Sequence, residues 1–446
     1  MRVYLSSAKI RTGKIIIFAL ALSLASCSGV PETVTPEVVS ATATASPSPA
    51  EPTVPLPAFL TPGATPEESA ELRLWLSWDG HDLEAFERVI ELFAEEYPNI
   101  TLRLTYVPEQ QMLQRLRDAP EGTGPTVILA ASSSAPILWD TGLFQDIGEY
   151  VTSELHEGLE SVAWSQAVYE GRVVGLPLAM QGVLLYRNRE LAPSRAETVD
   201  DLVAAAIGLR DLGSAVGAAL DFGFMFSGSR LQTCDGTLFA ADGFIGLAGS
   251  AGLCWLELER RLSQAGRVVF NSDADLNLFT SGESAWLIDV AAKAPELAEA
   301  IGDSNLAVDA WPEYQVTGEP LAGFMWTENA YFLAGITESE MESAWAFVSF
   351  MLTPQAQLIL ADPQGAWHIP VLTTLDLEGG LQIQVRGALL NGLPLPIESM
   401  LLDRAISLEN ALRLVAQQGA EPLLALSVLV AELGPELPTP LPTPEN

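Results

Sequence analysis

The sequence predicts an α/β fold in which a parallel or mixed sheet is covered by helices on both faces, and three observations carry that prediction. Short apolar strand patterns alternate with segments of helical period from Leu72 onward. Hydrophobic residues make up 48% of the 446 positions, enough for real cores in two or three domains of roughly 100–200 residues each. The 30 prolines cluster at the two ends, so the middle reads as folded.

The first element is an address. Arg2, Lys9, Arg11 and Lys14 precede an unbroken apolar run, Ile15 to Ala25. That run is well short of the roughly 20 residues a membrane-spanning helix needs, so residues 1–26 read as a signal peptide. It ends in Leu24-Ala25-Ser26-Cys27, small residues directly before a cysteine, a pattern similar to the bacterial lipobox. Cys27 is then the lipidated N-terminus, whose several acyl chains give stable anchoring to the outer face of the cell membrane. An ordinary signal peptide cut near Ser26 is the alternative. Residues 27–70 are rich in Pro, Thr, Ser and Ala without any period, and read as a semi-rigid extended tether. Residues 433–446 have similar composition and are expected to be a disordered tail.

The folded part opens as β-α-β. Leu72–Trp78 is a short apolar strand. Asp82–Tyr97 places Leu83, Phe86, Val89, Ile90, Phe93 and Ala94 on one helical face, and Pro98-Asn99 ends it. Ile100–Val107 alternates, with Ile100, Leu102, Leu104 and Tyr106 on one side. A helix over Glu109–Asp118 and a strand over Val127–Ala131 continue the series. Ligands of such sheets bind beyond the carboxyl ends of strands, which directs attention to Trp78-Asp79-Gly80-His81 and Ser132-Ser133-Ser134.

Charge and composition exclude several functions. Lys plus Arg number 22 against 57 Asp plus Glu, a formal charge of −35. A surface that acidic repels phosphate backbones, which excludes nucleic acid as a partner. Three cysteines and three histidines, widely scattered, give no metal framework, and no cofactor is implied. Cys234 and Cys254 read as a disulfide in an exported chain, with free buried thiols the other reading. Ala248-Gly249-Ser250-Ala251-Gly252 outlines a nucleophile elbow, and His368 is the one histidine after it. No β-branched strand runs into Ser250, however, so a secreted hydrolase has little support. A glycosidase needs two facing carboxylates, which 57 acids leave open.

Short patterns then accumulate in one order. Phe93-Ala94-Glu95-Glu96-Tyr97-Pro98-Asn99-Ile100 closes the first helix, and Gly142-Leu143-Phe144-Gln145-Asp146-Ile147 follows. Next come Tyr169-Glu170-Gly171-Arg172-Val173-Val174-Gly175-Leu176-Pro177 with Leu185-Tyr186-Arg187-Asn188, and then Phe279-Thr280-Ser281-Gly282-Glu283-Ser284-Ala285-Trp286. A late helix contains Ala344-Trp345-Ala346-Phe347-Val348-Ser349-Phe350. Over about Leu72 to Pro370 this series resembles the bacterial extracellular solute-binding proteins of the sugar-binding type, the relatives of maltose-binding protein. Thr126 stands where that family commonly carries Asp, and Arg187-Asn188-Arg189 is offset by one from its usual Tyr-Asn-Lys.

The resemblance implies a type II periplasmic-binding-protein-like fold: two α/β lobes built from discontinuous chain, with a ligand cleft between them. Lobe 1 is expected at 71–177 plus 305–365 and lobe 2 at 178–304 plus 366–432, with Pro177–Arg187 crossing between them. It also implies a monomer that captures a mono- or oligosaccharide without transforming it and delivers it to the permease subunits of an ABC transporter. A binder of another polar solute and an orphan sensory receptor remain alternatives.

A sugar presents apolar C–H faces and a rim of hydroxyls, which suit flat aromatic rings and bidentate polar groups. Trp78, Trp286, Trp311, Trp326 and Trp367 read as lying in loops or at element ends. Asp79 follows Trp78, Glu328 follows Trp326, Asp289 comes three residues after Trp286, and Gln181 lies on the crossing strand. These nine are the expected ligand contacts. Each tryptophan reads equally as a packing residue, and for Asp79, Asp289 and Glu328 a solvated surface acid is the competing account. Trp75, Trp255 and Trp345 fall on apolar faces and are assigned to the core, and Trp139 and Trp164 to structure.

Overall fold

The computed structural model describes residues 70–120, 122–213, 216–236, 247, 250–377, 379–398 and 401–433. The signal peptide, Cys27, nearly all of the tether and the Pro-rich tail therefore lie outside the described residues. The opening series is as the periodicity predicts: β1 (Ala70–Leu76), α1 (Gly80–Glu96), β2 (Ile100–Tyr106), α2 (Glu109–Asp118) and β3 (Val127–Ala131). In α1 the side chains of Ala85, Phe86, Val89 and Phe93 are buried, a stripe at helical spacing, and the Tyr97 N–H closes the last turn onto the Phe93 carbonyl before Pro98. β1 pairs in parallel with both β2 and β3.

β2 departs from expectation. It is the outermost strand of the sheet, and only Ile100 is fully covered, while Leu104 and Tyr106 are 37% and 49% exposed. Alternation in the sequence reports a face that could be covered; an edge strand lacks the neighbour that would cover it.

The strand that organises the rest is β4 (Leu176–Asn188). α3 (Val199–Asp211), started by a Thr198–Asp201 capping box, leads to β5 (Gly217–Asp221), and α4 (Ser250–Ser263) leads to β6 (Gly266–Val269). β7 (Ser284–Val290), β8 (Leu306–Asp309) and β9 (Phe324–Phe332) follow. The chain finishes with α5 (Glu338–Met351), α6 (Pro354–Leu360), β10 (Ile369–Pro370), α7 (Gly380–Leu390), β11 (Leu393–Pro394), α8 (Leu401–Leu412) and α9 (Pro422–Leu433).

Hydrogen bonding runs through β2-β1-β3-β9-β4-β7-β5-β6, with β8 and β10 on β4 and β11 on β9. β4 joins two halves of this mixed sheet. Residues 176–182 pair with β9, and residues 183–187 pair with β7. At the changeover Gly182 is crowded: a Cβ there would come within 2.6 Å of the Phe324 carbonyl oxygen and of a Leu389 methyl. Only glycine lets the two backbones approach so closely.

Both faces of the central strands are buried, as a helix-covered sheet requires. Leu72, Leu74 and Leu76 of β1 pack with Phe86, Phe93 and Phe347 in a first core, whereas Trp75 faces a smaller core with Ile128 and Tyr331. A separate core gathers Val199, Leu220, Trp255, Trp286, Leu408 and Leu426. The expected lobe boundary at 365/366 coincides with no break in packing, because Ile369, Val371, Val385 and Leu389 all belong to the first core. Cys234 and Cys254 are joined in a disulfide, their Cα atoms 5.8 Å apart. Among the described residues no helix is long and apolar enough to cross a membrane.

Candidate functional site

Along β4 every residue is buried except Gln181. Gln181 stands directly opposite Trp326 of β9, and directly opposed residues of an antiparallel pair share a face. Glu328, two residues beyond Trp326, shares it as well. Trp326 and Glu328 are the two positions of β9 that are not fully buried. These three partly buried side chains form a floor where the halves of the sheet meet. A bulge between Glu328 and Asn329 ends the regular pairing beside them. The Gln181 side-chain oxygen is buried without a hydrogen-bond partner among the described residues. It is an acceptor awaiting a donor.

Trp78, just past the end of β1, is buried in the first core, with its indole close enough to the Glu328 carboxyl to oppose the rise of its pKa. Its ring meets Phe86 edge-on at 5.2 Å and His368 at 4.6 Å. His368 in turn lies 3.3 Å from an Asp82 carboxylate oxygen. Burial, then the negative charges of Glu109 and Asp82, push the Glu328 carboxyl up to about 8, against the pull of the Trp78 N–H. Glu109 is itself raised by burial, the Ser134 hydroxyl 3.5 Å away opposing the shift. The upward shift favours the protonated carboxyl, which can donate a hydrogen bond as well as accept one.

The other expected contacts are placed differently. Trp311 is half-buried against the second core, beside Gly323 at the entry to β9. Asp79 is exposed at the N-cap position of α1 and makes no side-chain cap bond. Trp286, Asp289 and Trp367 are corrected to interior positions. Trp286 is 1% exposed in the middle of β7, inside the second core. Asp289, on the same strand, is completely buried opposite Leu184 and accepts from the Val290 N–H. Trp367 packs in the first core and hands its neighbour His368 to Asp82. Trp286 and Trp326 also lie within strands, not in the loops or element ends expected for them.

Beside the floor runs a strap, residues 391–398, whose Leu395 N–H donates to the Met325 carbonyl. A cavity of about 800 Å³ opens between the strap, Glu319–Ala322 and the 3₁₀ segment Gly228–Cys234. A second, of about 380 Å³, lies between the strap and residues 165–170. Both volumes suit small polar ligands. Pro394, Pro396, Ile397 and Glu398 border both cavities, whereas the floor residues line neither. Sequence reasoning missed the strap, Gln166 and the Asp82–His368 pair. Ser132, singled out by its place after β3, was the one available signal.

A mixed sheet whose halves meet at a polar, aromatic floor, with helices on both faces, is the architecture of a two-lobed binding protein. The profile of the bacterial extracellular solute-binding proteins matches residues 88–382, and the chain belongs to that family. The maltotriose-binding protein of Pyrococcus abyssi is 24% identical over 134 residues, 30% of this chain and 29% of that one. A putative binding protein of Brucella abortus is 25% identical over 297 residues, 60% of this chain and 68% of that one. The crystal structure of the cyclic alpha-maltosyl-1,6-maltose binding protein from Arthrobacter globiformis superposes with a TM-score of 0.70 at 17% identity, covering 82% of this chain and 98% of that one. The family and these neighbours are binding proteins.

Proposed function

We propose that this chain captures a neutral mono- or oligosaccharide in the cleft between its halves, holds it without chemical change, and delivers it to the permease subunits of an ABC transporter. The observation that carries this is the floor itself. Trp326 offers a flat apolar face, while Gln181, with an unpaired acceptor, and Glu328, whose carboxyl is shifted toward the protonated form, offer polar groups for a hydroxyl rim. The relatives named for maltotriose and maltosyl-maltose bind ligands of that kind. Trp311, half-buried, extends the aromatic surface, while Trp78 is buried in the first core. The negative charges of Asp82 and Glu109 beside the floor disfavour an anionic ligand. We further propose that the chain works outside the cytoplasm, tethered through a lipid on Cys27. As a hydrolase it would need Ser250 and His368 together, yet Ser250 opens α4, which packs in the second core, while His368 is engaged by Trp78 and Asp82 in the first.

Titration calorimetry with maltotriose tests the reading. Heat at one site per chain, with intact sugar recovered afterwards, is the expected result; released glucose or an absence of heat with any saccharide refutes it. Trp326→Ala should abolish binding while the circular dichroism stays unchanged. Trp286→Ala should instead cost about 3–5 kcal/mol of stability through the core cavity it leaves.

A further inference from the structure

A closed ring of hydrogen bonds lies beneath the floor. The Ser132 hydroxyl donates to the Gln166 side-chain oxygen at 2.7 Å and accepts from the Thr327 N–H at 3.3 Å. The Thr327 hydroxyl donates to the Asn329 side-chain oxygen at 2.6 Å, and the Asn329 amide donates to the Gln166 backbone carbonyl at 2.8 Å. Thr327 sits between Trp326 and Glu328, so it moves with the floor. Gln166 leaves the ring in one direction: its side-chain N–H₂ donates to the Leu395 carbonyl at 2.9 Å, on the strap. The amide orientation is forced, because Leu395 O can only accept.

All four ring members are buried, Gln166 being 1% exposed and Ser132, Thr327 and Asn329 fully covered. Water cannot replace a lost partner there, so the ring holds together or breaks as a unit. Three separate pieces of chain meet at it: the end of β3, the turn carrying Gln166, and β9. The strap is also tied to β9 and the residue before it by the short parallel pairing of β11, with the Leu393 and Leu395 N–H groups donating to the Gly323 and Met325 carbonyls. The strap also forms the shared wall of both cavities.

We infer that Gln166 is a positioning residue for the cleft, joining the floor to the strap so that a ligand seated on one fixes the other. Its ligand-binding consequence rests on the sugar reading above; the mechanical joint does not.

Hydrogen–deuterium exchange on the full chain without ligand tests the joint by itself. Gln166→Glu keeps the acceptor for Ser132 but replaces the donor to Leu395 with a second oxygen. The amides of Leu393 and Leu395 should then exchange about tenfold faster, the change that 1.4 kcal/mol produces, while those of β1 and β3 keep their rates. Wild-type exchange in the strap, or acceleration spread evenly over the first core, overturns the inference. Gln166→Met, similar in size and lacking both bonds, supplies the same comparison should the carboxylate prevent folding. In the second arm, maltotriose affinity should fall about tenfold in Gln166→Glu and in Ser132→Ala, and the double variant should lose no more than either alone. Fully additive losses, or unchanged affinity in Gln166→Glu, again overturn it. Failure of the wild type to bind maltotriose counts against the sugar reading and leaves the exchange arm to decide the joint.

Discussion

Glu328 shows how one side chain converts its surroundings into a pH response. Burial beside Glu109 and Asp82 lifts its carboxyl to about 8, from about 4.5 in the unfolded chain. Between those two values the folded chain retains a proton that the unfolded chain has released. Stability attributable to this group is therefore complete at low pH and is lost as pH rises toward and through about 8. Glu328→Gln carries a neutral amide of the same shape and removes the titration. The wild-type melting temperature should fall more steeply than the variant's between about pH 5 and about pH 9. Parallel curves would place the source of any pH dependence elsewhere. Burial likewise separates the two tryptophans on which the sequence placed equal weight: Trp326 is partly buried on the floor, whereas Trp286 is enclosed.

Among the elements, β4 matters most, because its first half hydrogen-bonds with β9 and its second half with β7. The junction depends on Gly182, and Gly323 sits across from it, where a Cβ would come within 1.9 Å of the Val183 carbonyl oxygen. Gly182→Ala should destabilise by about 1–3 kcal/mol, the usual cost of overpacking, measured as a shift of the urea midpoint. A neutral result would mean that Phe324 and Leu389 give way without cost. The 3₁₀ segment bordering the larger cavity is held to α4 by two ties. One is the Cys234–Cys254 disulfide, and the other is a fully buried Arg230–Glu259 pair at 2.7 Å in which burial raises the Glu259 carboxyl against the Arg230 charge. Seven residues is long for 3₁₀ geometry, and these ties explain how the segment persists.

At the scale of the whole molecule, the fold was legible where local pattern dictates structure. α2 and β3 occupy the residues their periodicity marks, and the continuous apolar run of β4 marks a strand buried on both faces. The floor was legible only in part. Gln181 is marked in the sequence by its place on the crossing strand, and Trp326 and Glu328 by a flat ring set beside a polar group. Yet Thr327-Glu328-Asn329 reads locally as loop, and becomes strand because β3 and β4 supply partners from distant parts of the sequence, such as Ala131 and Ala179 for Glu328. Gln166 and His368 find their partners at similar remove, with no pattern to announce them.

That long-range assembly sets the final expectation. A guest on the floor touches β4 and β9 where the halves join, so it favours whichever arrangement of the halves gives it more contacts. Maltotriose at about 100 times its dissociation constant should stabilise the chain by about 2.7 kcal/mol in thermal denaturation. X-ray scattering of the same solution should show a smaller radius of gyration than the free chain. Stabilisation without compaction would mean that one half alone holds the sugar, and the cleft reading would fail even though binding survived.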